Sequence, residues 1–138
     1  MIERVSFRAF VAATEDEERV RGAMGICVPI DRISTTVARG HFGNEIKILE
    51  GSLRRKEGLS FFGVLREGLP PGDLSRLRSE LQERLDEDLI FHLRLDKQSA
   101  YRGMLRLTDS KDALDVSVAV RTYPARRDSA LSILSGLL

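Results

Sequence analysis

The sequence predicts an α+β fold, in which an antiparallel sheet carries helices on one face. Segments that alternate apolar and polar residues, as half-buried strands do, occur near both ends of the chain. Segments with leucines at helical spacing occupy the middle and the C-terminus. Because strands with one apolar face bury that face under helices, the expected architecture has two layers.

Length and composition are those of one globular domain spanning residues 1–138. The chain has 42% hydrophobic and 31% charged residues, which excludes a disordered chain, and no apolar run long enough to span a bilayer. The net charge is +1, so a binding partner cannot be inferred from overall charge. The start lacks a signal-peptide pattern, and the single cysteine, Cys27, has no partner in the chain. We therefore expect a cytoplasmic protein.

The first third of the chain predicts a strand, a helix and a hairpin. Residues 2–13 alternate between the two faces of a strand, and Thr14 before three acidic residues predicts the start of a helix that runs to about Cys27. Residues 33–38 are β-branched and predict a second strand. A third strand over 45–55 changes its apolar phase, which predicts a bulge near Glu50 and Gly51.

The middle of the chain predicts two helices, and the last third predicts strands followed by a helix. One helix carries Leu59 to Leu69 at its apolar positions, and a second spans Leu74 to Leu85 with Asp73 as its cap. Alternation returns in three strands over 89–95, 104–107 and 114–122. Pro124 is expected to open the final helix.

The side of the sheet opposite the helices is predicted to be basic with a few apolar groups. If the strands pair as hairpins, this open side carries Arg4, Arg8, His92, Arg94, Arg106 and Arg121, together with Phe10 and Met104. Such a surface suits nucleic acid, because guanidinium groups bind phosphates and bases stack on aromatic or arginine planes. The alternative is that these charges are simply solvated and keep sheet edges from pairing.

Three other segments supply candidate contacts. In LRLDKQSAYRG (93–103) we expect Lys97, Gln98, Tyr101 and Arg102 to contact nucleic acid, the alternative being that Asp96 caps a short helical turn and Tyr101 covers the edge of the core. The glycines of GHFGNEIK (40–47) permit close approach to phosphate, with His41, Asn44 and Lys47 as donors, or else form a structural hairpin.

The third segment is TYPARR. Arg126 and Arg127 fall in a first helical turn, where positive charge opposes the helix dipole and a bound phosphate would explain it.

Familiar catalytic patterns are lacking in the sequence. It contains neither a Walker loop nor a serine nucleophile elbow, and its two histidines are far apart. We expect no catalytic residue, no metal and no cofactor. A nuclease that uses Glu45, Asp96 and a metal is the weaker alternative.

Four separated motifs carry a resemblance to a known family. ATEDEERV, GHFGNEIK, LRLDKQSAYRG and TYPARR, in an order that holds from about residue 2 to the end, resemble the archaeal family of predicted exosome-associated RNA-binding proteins. That family is similar in fold to the ribosomal large-subunit protein that binds 5S rRNA. The resemblance implies RNA binding and a link to RNA processing.

These observations lead us to expect a non-catalytic RNA-binding accessory factor of archaeal RNA processing or ribosome biogenesis. Its partners would be RNA and exosome or other RNA-processing proteins, without a membrane, and a homodimer is one option for its oligomeric state. The alternative is an assembly subunit that binds protein alone. The candidate RNA contacts are Arg4, Arg8, His41, Asn44, Lys47, Arg94, Lys97, Gln98, Tyr101, Arg102, Arg121, Arg126 and Arg127.

Overall fold

The central element of the fold is an antiparallel sheet. The structure, a computed structural model, describes residues 1–40 and 43–138. Within those ranges the sheet has five strands, which are β1 (Ile2–Val11), β2 (Ser34–Arg39), β3 (Glu45–Arg54), β4 (Ile90–Asp96) and β5 (Ala113–Val120). Their spatial order is β2-β3-β1-β5-β4, and every neighbouring pair is antiparallel.

Helices lie between the strands in sequence and after the last one. In the described ranges they are α1 (Glu17–Met24), α2 (Lys56–Gly68), α3 (Pro71–Ser79), α4 (Leu81–Arg84), α5 (Lys97–Tyr101) and α6 (Arg127–Leu137). A short 3-10 turn, Ile30–Arg32, precedes β2. Together with the sheet they confirm the predicted α+β fold.

The core is formed where α2 packs on the middle of the sheet. Val5, Phe7 and Ala9 of β1 are buried, and the Phe7 ring meets the Phe61 ring of α2 edge-on with centroids 5.1 Å apart. Gly58 lets α2 approach closely, because a Cβ there would lie 3.2 Å from the Val5 side chain. Burying each phenylalanine contributes about 2 to 3 kcal/mol, so β1 and α2 are firmly held together.

The first helix begins later than predicted. Asp16, not Thr14, is its N-cap, and the Asp16 carboxylate accepts the Glu18 N–H at 3.0 Å. The helix ends at Met24, three residues earlier than predicted, and residues 25–27 form a turn. Cys27 is buried, and its burial raises the pKa of the thiol to about 12.

The predicted bulge in β3 is wrong. Pairing of β3 with β1 is unbroken from Arg54 opposite Arg4 to Lys47 opposite Val11. The apolar phase changes because Leu49 faces the helices whereas Ile48 lies on the open side beside Phe10. The irregular register lies instead in β1, between Ile2 and Arg4.

The predicted strand over 104–107 is also wrong. This segment makes a single bridge, Leu107 to Leu95, with two backbone hydrogen bonds to the edge of β4, and does not continue as a strand. Leu105 is buried, and Met104 and Arg106 line a groove with residues of α2. Met104 and Arg106 therefore do not lie on the open side of the sheet.

The remaining helices differ in detail from the prediction. Leu59 is exposed, and the helix predicted over 74–85 is interrupted at Glu80. Asp73 does not cap α3 but accepts the Leu107 N–H at 3.0 Å, which ties the 104–107 segment to that helix. The last helix starts at Arg127, three residues after Pro124.

Candidate nucleic-acid interface

The open side of the sheet is organised in cross-strand rows. Residues directly opposite each other in an antiparallel pair share a face. The register gives one row of Arg54, Arg4, Ala119 and Ile90, a second of Ser52, Ser6, Ser117 and His92, and a third of Glu50, Arg8, Asp115 and Arg94. Hydroxyls thus lie between two rows that contain arginine.

These rows form the floor of a groove of roughly 940 Å³. Arg32 lines it beside the β2 edge, and Glu83 and Arg84 of α4 line it beside the β4 edge. The groove is open to solvent and lined mostly by polar and charged side chains, so a polar ligand suits it better than a small apolar one.

The groove is mixed in charge, whereas the sequence predicted a basic face with a few apolar groups. Its lining includes the guanidinium groups of Arg4, Arg8, Arg32, Arg84 and Arg94 and the carboxylates of Glu50, Glu83, Asp86, Asp109 and Asp115. Arg94 pairs with Asp115 at 2.9 Å, and Arg32 pairs with Glu57 at 2.7 Å. Arg4 and Arg8 make no ion pair within residues 1–40 and 43–138, so they are the lining cations best placed to receive an anion.

Apolar side chains extend the open face toward the β2 edge. The Phe10 ring is 40% exposed, and the Arg8 guanidinium carbon lies 5.5 Å from its centroid, a cation–π contact. Ile48 lies opposite Phe10 on the neighbouring strand. This end of the face can stack on a base or pack on a protein.

His92 stands in the row of serines. Its Nε2 lies 2.8 Å from the Asp86 carboxylate and its Nδ1 lies 3.5 Å from the Ser117 hydroxyl. The hydrogen bond with His92, reinforced by the Ile90 and Asp88 N–H groups, holds the pKa of Asp86 below its usual value of 3.8. The pair fixes the turn before β4 to the sheet.

Arg121 and Arg126 lie at the end of the sheet where β1 begins. Arg121 pairs with Glu3 at 3.0 Å, and its guanidinium carbon lies 5.7 Å from the Tyr123 ring centroid. Arg126 is exposed. Both remain accessible to a ligand.

Lys97 is not a surface residue. It is 1% exposed, and its ammonium donates to the Phe10 carbonyl at 2.6 Å and to the Asp112 carboxylate at 2.6 Å. Glu15 completes the shell at 3.2 Å. The expectation that Lys97 contacts RNA is corrected: its charge is enclosed by the protein's own oxygens.

Tyr101 belongs to the same buried cluster. Its hydroxyl donates to Glu15 at 3.0 Å, and Arg19 covers its ring at 4.5 Å. Burial is the largest cause that raises the pKa of the Tyr101 hydroxyl to about 12, and the hydrogen bond to the Glu15 carboxylate raises it further. The alternative interpretation, in which Tyr101 covers the core edge, describes this geometry.

The rest of the 93–103 segment divides between structure and surface. Asp96 accepts the Ser99 N–H at 2.9 Å and caps α5, as the alternative interpretation predicts. Gln98 and Arg102 are exposed. Only these two of the four candidates in the segment can reach a ligand.

The candidates of the β2–β3 hairpin are separated. His41 lies outside the described residues. Asn44 is exposed at the turn, where its carbonyl accepts the Gly40 N–H. Lys47 shares the helical side of the sheet with Val11 and pairs with Glu17 at 3.1 Å, so it does not join the open face.

Arg127 serves the helical layer. Its guanidinium donates to the Leu85 carbonyl at 2.9 Å and to the Gln82 carbonyl, at the C-terminal end of α4. Carbonyls at a helix end are otherwise unsatisfied. Its place in a first helical turn is thus explained without a bound phosphate.

Arg54 is a member of the open face that periodicity missed. The sequence places it in a charge run with Arg55 and Lys56, a pattern that is usually solvated. Its register opposite Arg4 follows from the absence of a bulge in β3. No local signal distinguishes it.

In the part of the chain that the structure describes, no three His, Cys, Asp or Glu side chains are grouped to hold a metal ion. No described helix is long and apolar enough to cross a membrane.

The fold and the groove define a two-layer α+β protein with an open, arginine-bearing sheet face. The chain belongs to the family described as RNA binding, whose model matches residues 4–121. This membership supports a general RNA-binding role, which the resemblance also implied.

Relatives and solved structures place the chain among archaeal proteins. It is 27% identical over 134 residues to a protein of Pyrococcus abyssi named as RNA-binding, covering 92% of this chain and 87% of the relative. An uncharacterised protein of Methanocaldococcus jannaschii is 32% identical, with 83% of this chain and 81% of the relative covered. A DUF54 protein of Archaeoglobus fulgidus superposes with a TM-score of 0.88 at 34% identity over the full length of both chains.

Proposed function

We propose that the chain is a non-catalytic RNA-binding protein that holds RNA on the open sheet face and its adjoining loops. The observation that carries this proposal is a pair of arginines on the same strand and face, Arg4 and Arg8, neither of which forms an ion pair with any residue that the structure describes. Arginine and serine are both common donors to phosphate oxygens. Family membership gives the same partner on independent grounds.

The interleaved carboxylates set how RNA would lie. Glu50 and Asp115 flank Arg8 in its row, and a phosphate next to either one is repelled. The three serine hydroxyls of the neighbouring row carry no charge and can donate to phosphate oxygens. We therefore expect the RNA backbone to follow β1 from Arg8 toward Arg4 and to cross the strands only along the row of Arg4 and Arg54.

The exposed members of the predicted contact set form the rest of the proposed interface. Arg94, Arg121 and Arg126 border the sheet face, while Asn44, Gln98 and Arg102 belong to the adjoining loops. Lys47 is left out because it lies on the helical side of the sheet. Lys97, Tyr101 and Arg127 are left out because their functional groups are hydrogen-bonded to oxygens in the helical layer or at its edge. In the cell this binding would serve RNA processing, in association with the exosome, or ribosome biogenesis.

The test is an affinity series for a folded RNA over roughly 50 to 200 mM salt. The double variant R4Q/R8Q should bind more weakly, with a salt slope shallower by about two. The control R66Q/R106Q removes the same charge from the helical side and should leave both values near wild type. Absence of binding by the wild-type protein at low salt would refute the proposal.

A second function is favoured by the apolar end of the open face. Phe10 and the half-buried Ile46 and Ile48 form an exposed patch that could pack on a protein of an RNA-processing complex. Co-purification of such a protein that survives nuclease treatment, and is lost in F10S, would support this alternative.

A further inference from the structure

Two charge clusters that are far apart in sequence meet at one end of the sheet, where β1 begins and β5 ends. Arg55 donates its N–H to the Glu3 carbonyl at 3.1 Å, and Arg121 and Met1 exchange backbone hydrogen bonds. Arg54 lies opposite Arg4. Residues 54–56 and residues 121–126 therefore both lie next to the start of β1.

This sheet end is strongly cationic. Its basic residues are Arg4, Arg54, Arg55, Lys56, Arg121 and Arg126. Glu3 forms an ion pair with Arg121 and neutralises that residue. Glu57, which follows Lys56 in sequence, pairs with Arg32, which is not one of these basic residues. The turn before β4, which contains the acidic residues Glu87 and Asp88, is joined to the end of β5 where the Leu89 carbonyl accepts the Val120 N–H at 3.0 Å. An excess of positive charge remains even though the groove as a whole is balanced.

An exposed aromatic ring stands beside these charges. Tyr123 is 82% exposed, far more than any other large hydrophobic or aromatic side chain recorded as exposed in the described chain. Its turn is fixed by Thr122, whose hydroxyl donates to the Pro124 carbonyl and accepts the Arg126 N–H, both at 2.9 Å. A ring held in a defined turn loses little freedom when a ligand stacks on it.

We infer that this sheet end binds an unpaired RNA segment, with one base stacked on Tyr123 and the neighbouring phosphates on Arg4 and Arg54. Aromatic rings beside a cationic track are the usual platform for single strands. Duplex RNA keeps its base faces stacked inside the helix and offers none to an aromatic side chain. The inference rests on the proposed function and adds to it the strandedness of the RNA and the residue that reads it.

The chain provides its own reporter for the stacked base. It has two tyrosines and no tryptophan, and the other tyrosine, Tyr101, is bonded to Glu15. A base that stacks on Tyr123 should quench tyrosine emission. The probes are an unstructured oligouridine and a blunt RNA duplex of the same length, with three proteins compared: wild type, Y123A and Y123F.

We expect Y123A to bind oligouridine at least about fivefold more weakly while its duplex binding is unchanged. Y123F keeps the ring and should keep wild-type affinity for oligouridine. Y123F lacks the reporter hydroxyl, so the quenching seen with wild type should disappear. Circular dichroism of the variants controls for folding, and the exposed position makes both substitutions tolerable.

Oligouridine binding that is equal in wild type and Y123A would overturn the stacking site and leave the proposed function standing. Binding of neither RNA by the wild type would overturn both. An oligoglutamate peptide that displaces oligouridine, with both ligands binding Y123A as tightly as wild type, would show that the cluster attracts acidic chains without reading a base, and would also overturn the inference.

Discussion

The ammonium of Lys97 donates a hydrogen bond to the backbone carbonyl of Phe10 at 2.6 Å, and so joins residues that are 87 positions apart. Asp112 and Glu15 surround the same ammonium. The Lys97 ammonium therefore connects the start of α5 to the end of β1 and to the turn before β5. Asp112 is largely exposed, whereas Lys97 is enclosed.

Replacing Lys97 by methionine should destabilise the protein without affecting RNA binding. Removal of one partner from a buried ionic cluster leaves the other charges uncompensated, and we expect a loss of about 3 kcal/mol in the free energy of unfolding. Urea denaturation measures the loss. K111M removes the same charge from an exposed position and should change stability by no more than about 0.5 kcal/mol. If K97M were as stable as wild type and bound RNA poorly, Lys97 would belong to the interface after all.

The same cluster shows where sequence reasoning reached its limit. Polar residues packed into seven positions suggested a surface, because Asp96, Lys97 and Gln98 are adjacent in sequence. The partners that bury Lys97 lie 15 and 82 positions away. Periodicity predicts which side of a strand a residue faces, but not what a distant segment brings to it.

The alternation of apolar and polar residues correctly predicted which side of the sheet a residue faces in strands with one apolar face. It failed in β3, where both faces carry apolar residues. The alternation of β1, β4 and β5 placed Arg4, Arg8 and Arg94 on the open side. In β3, apolar residues on the open side resembled a change of phase, and the inferred bulge hid Arg54. The fold class followed from period and length alone, whereas the ion pairs that decide which arginines are available depend on tertiary contacts.

Two glycines of α2 should respond in opposite directions to substitution by alanine. A Cβ at Gly58 would meet Val5 and Ile2 of the core at 3.2 and 3.3 Å, so G58A should lower stability by about 1 kcal/mol after the gain in helix propensity. A Cβ at Gly63 meets only the flexible end of Arg66 at 3.7 Å. G63A should raise stability by about 0.5 to 1 kcal/mol.

Thermal or urea unfolding of the two single variants provides the test, and each serves as the other's control within one helix. Stabilisation by both substitutions would mean that the contact between α2 and β1 is looser than 3.2 Å implies. Destabilisation by both would mean that position 63 is also confined.

Asp86 should give the protein an acid-sensitive contribution to stability. Its carboxylate accepts the His92 ring N–H and two backbone N–H groups, which lowers its pKa in the folded state. The contribution is therefore fully present above the usual value of 3.8 and is lost as pH falls through the lower folded-state pKa. D86N should be less stable than wild type at neutral pH, and the difference should shrink toward about pH 2.

Urea unfolding midpoints across pH measure this difference, and D88N removes the neighbouring carboxylate as a control. A constant gap between D86N and wild type at every pH would contradict the linkage. It would mean that the substitution acts only through altered packing of the turn before β4.

The adjacent residues Arg126 and Arg127 should separate binding from stability. Arg127 satisfies two carbonyls at the end of α4, and R127Q should lower the free energy of unfolding by about 1 to 2 kcal/mol because charged donors to carbonyls are worth roughly that much. Arg126 is exposed, and within residues 1–40 and 43–138 its hydrogen bonds are made by its backbone, whose N–H donates to the Thr122 hydroxyl and whose carbonyl accepts the Ala130 N–H. R126Q keeps these backbone bonds, so its stability should stay within about 0.5 kcal/mol of wild type. Its RNA affinity should fall, and the slope of that affinity against salt should decrease by about one.

R127Q, compared at a temperature where it is folded, should bind RNA as wild type does, because the Arg127 guanidinium is already hydrogen-bonded to carbonyls near α4. The reverse outcome, weaker binding in R127Q and lower stability in R126Q, would place the RNA on the α4 side of the sheet end and would contradict the arrangement proposed around Tyr123.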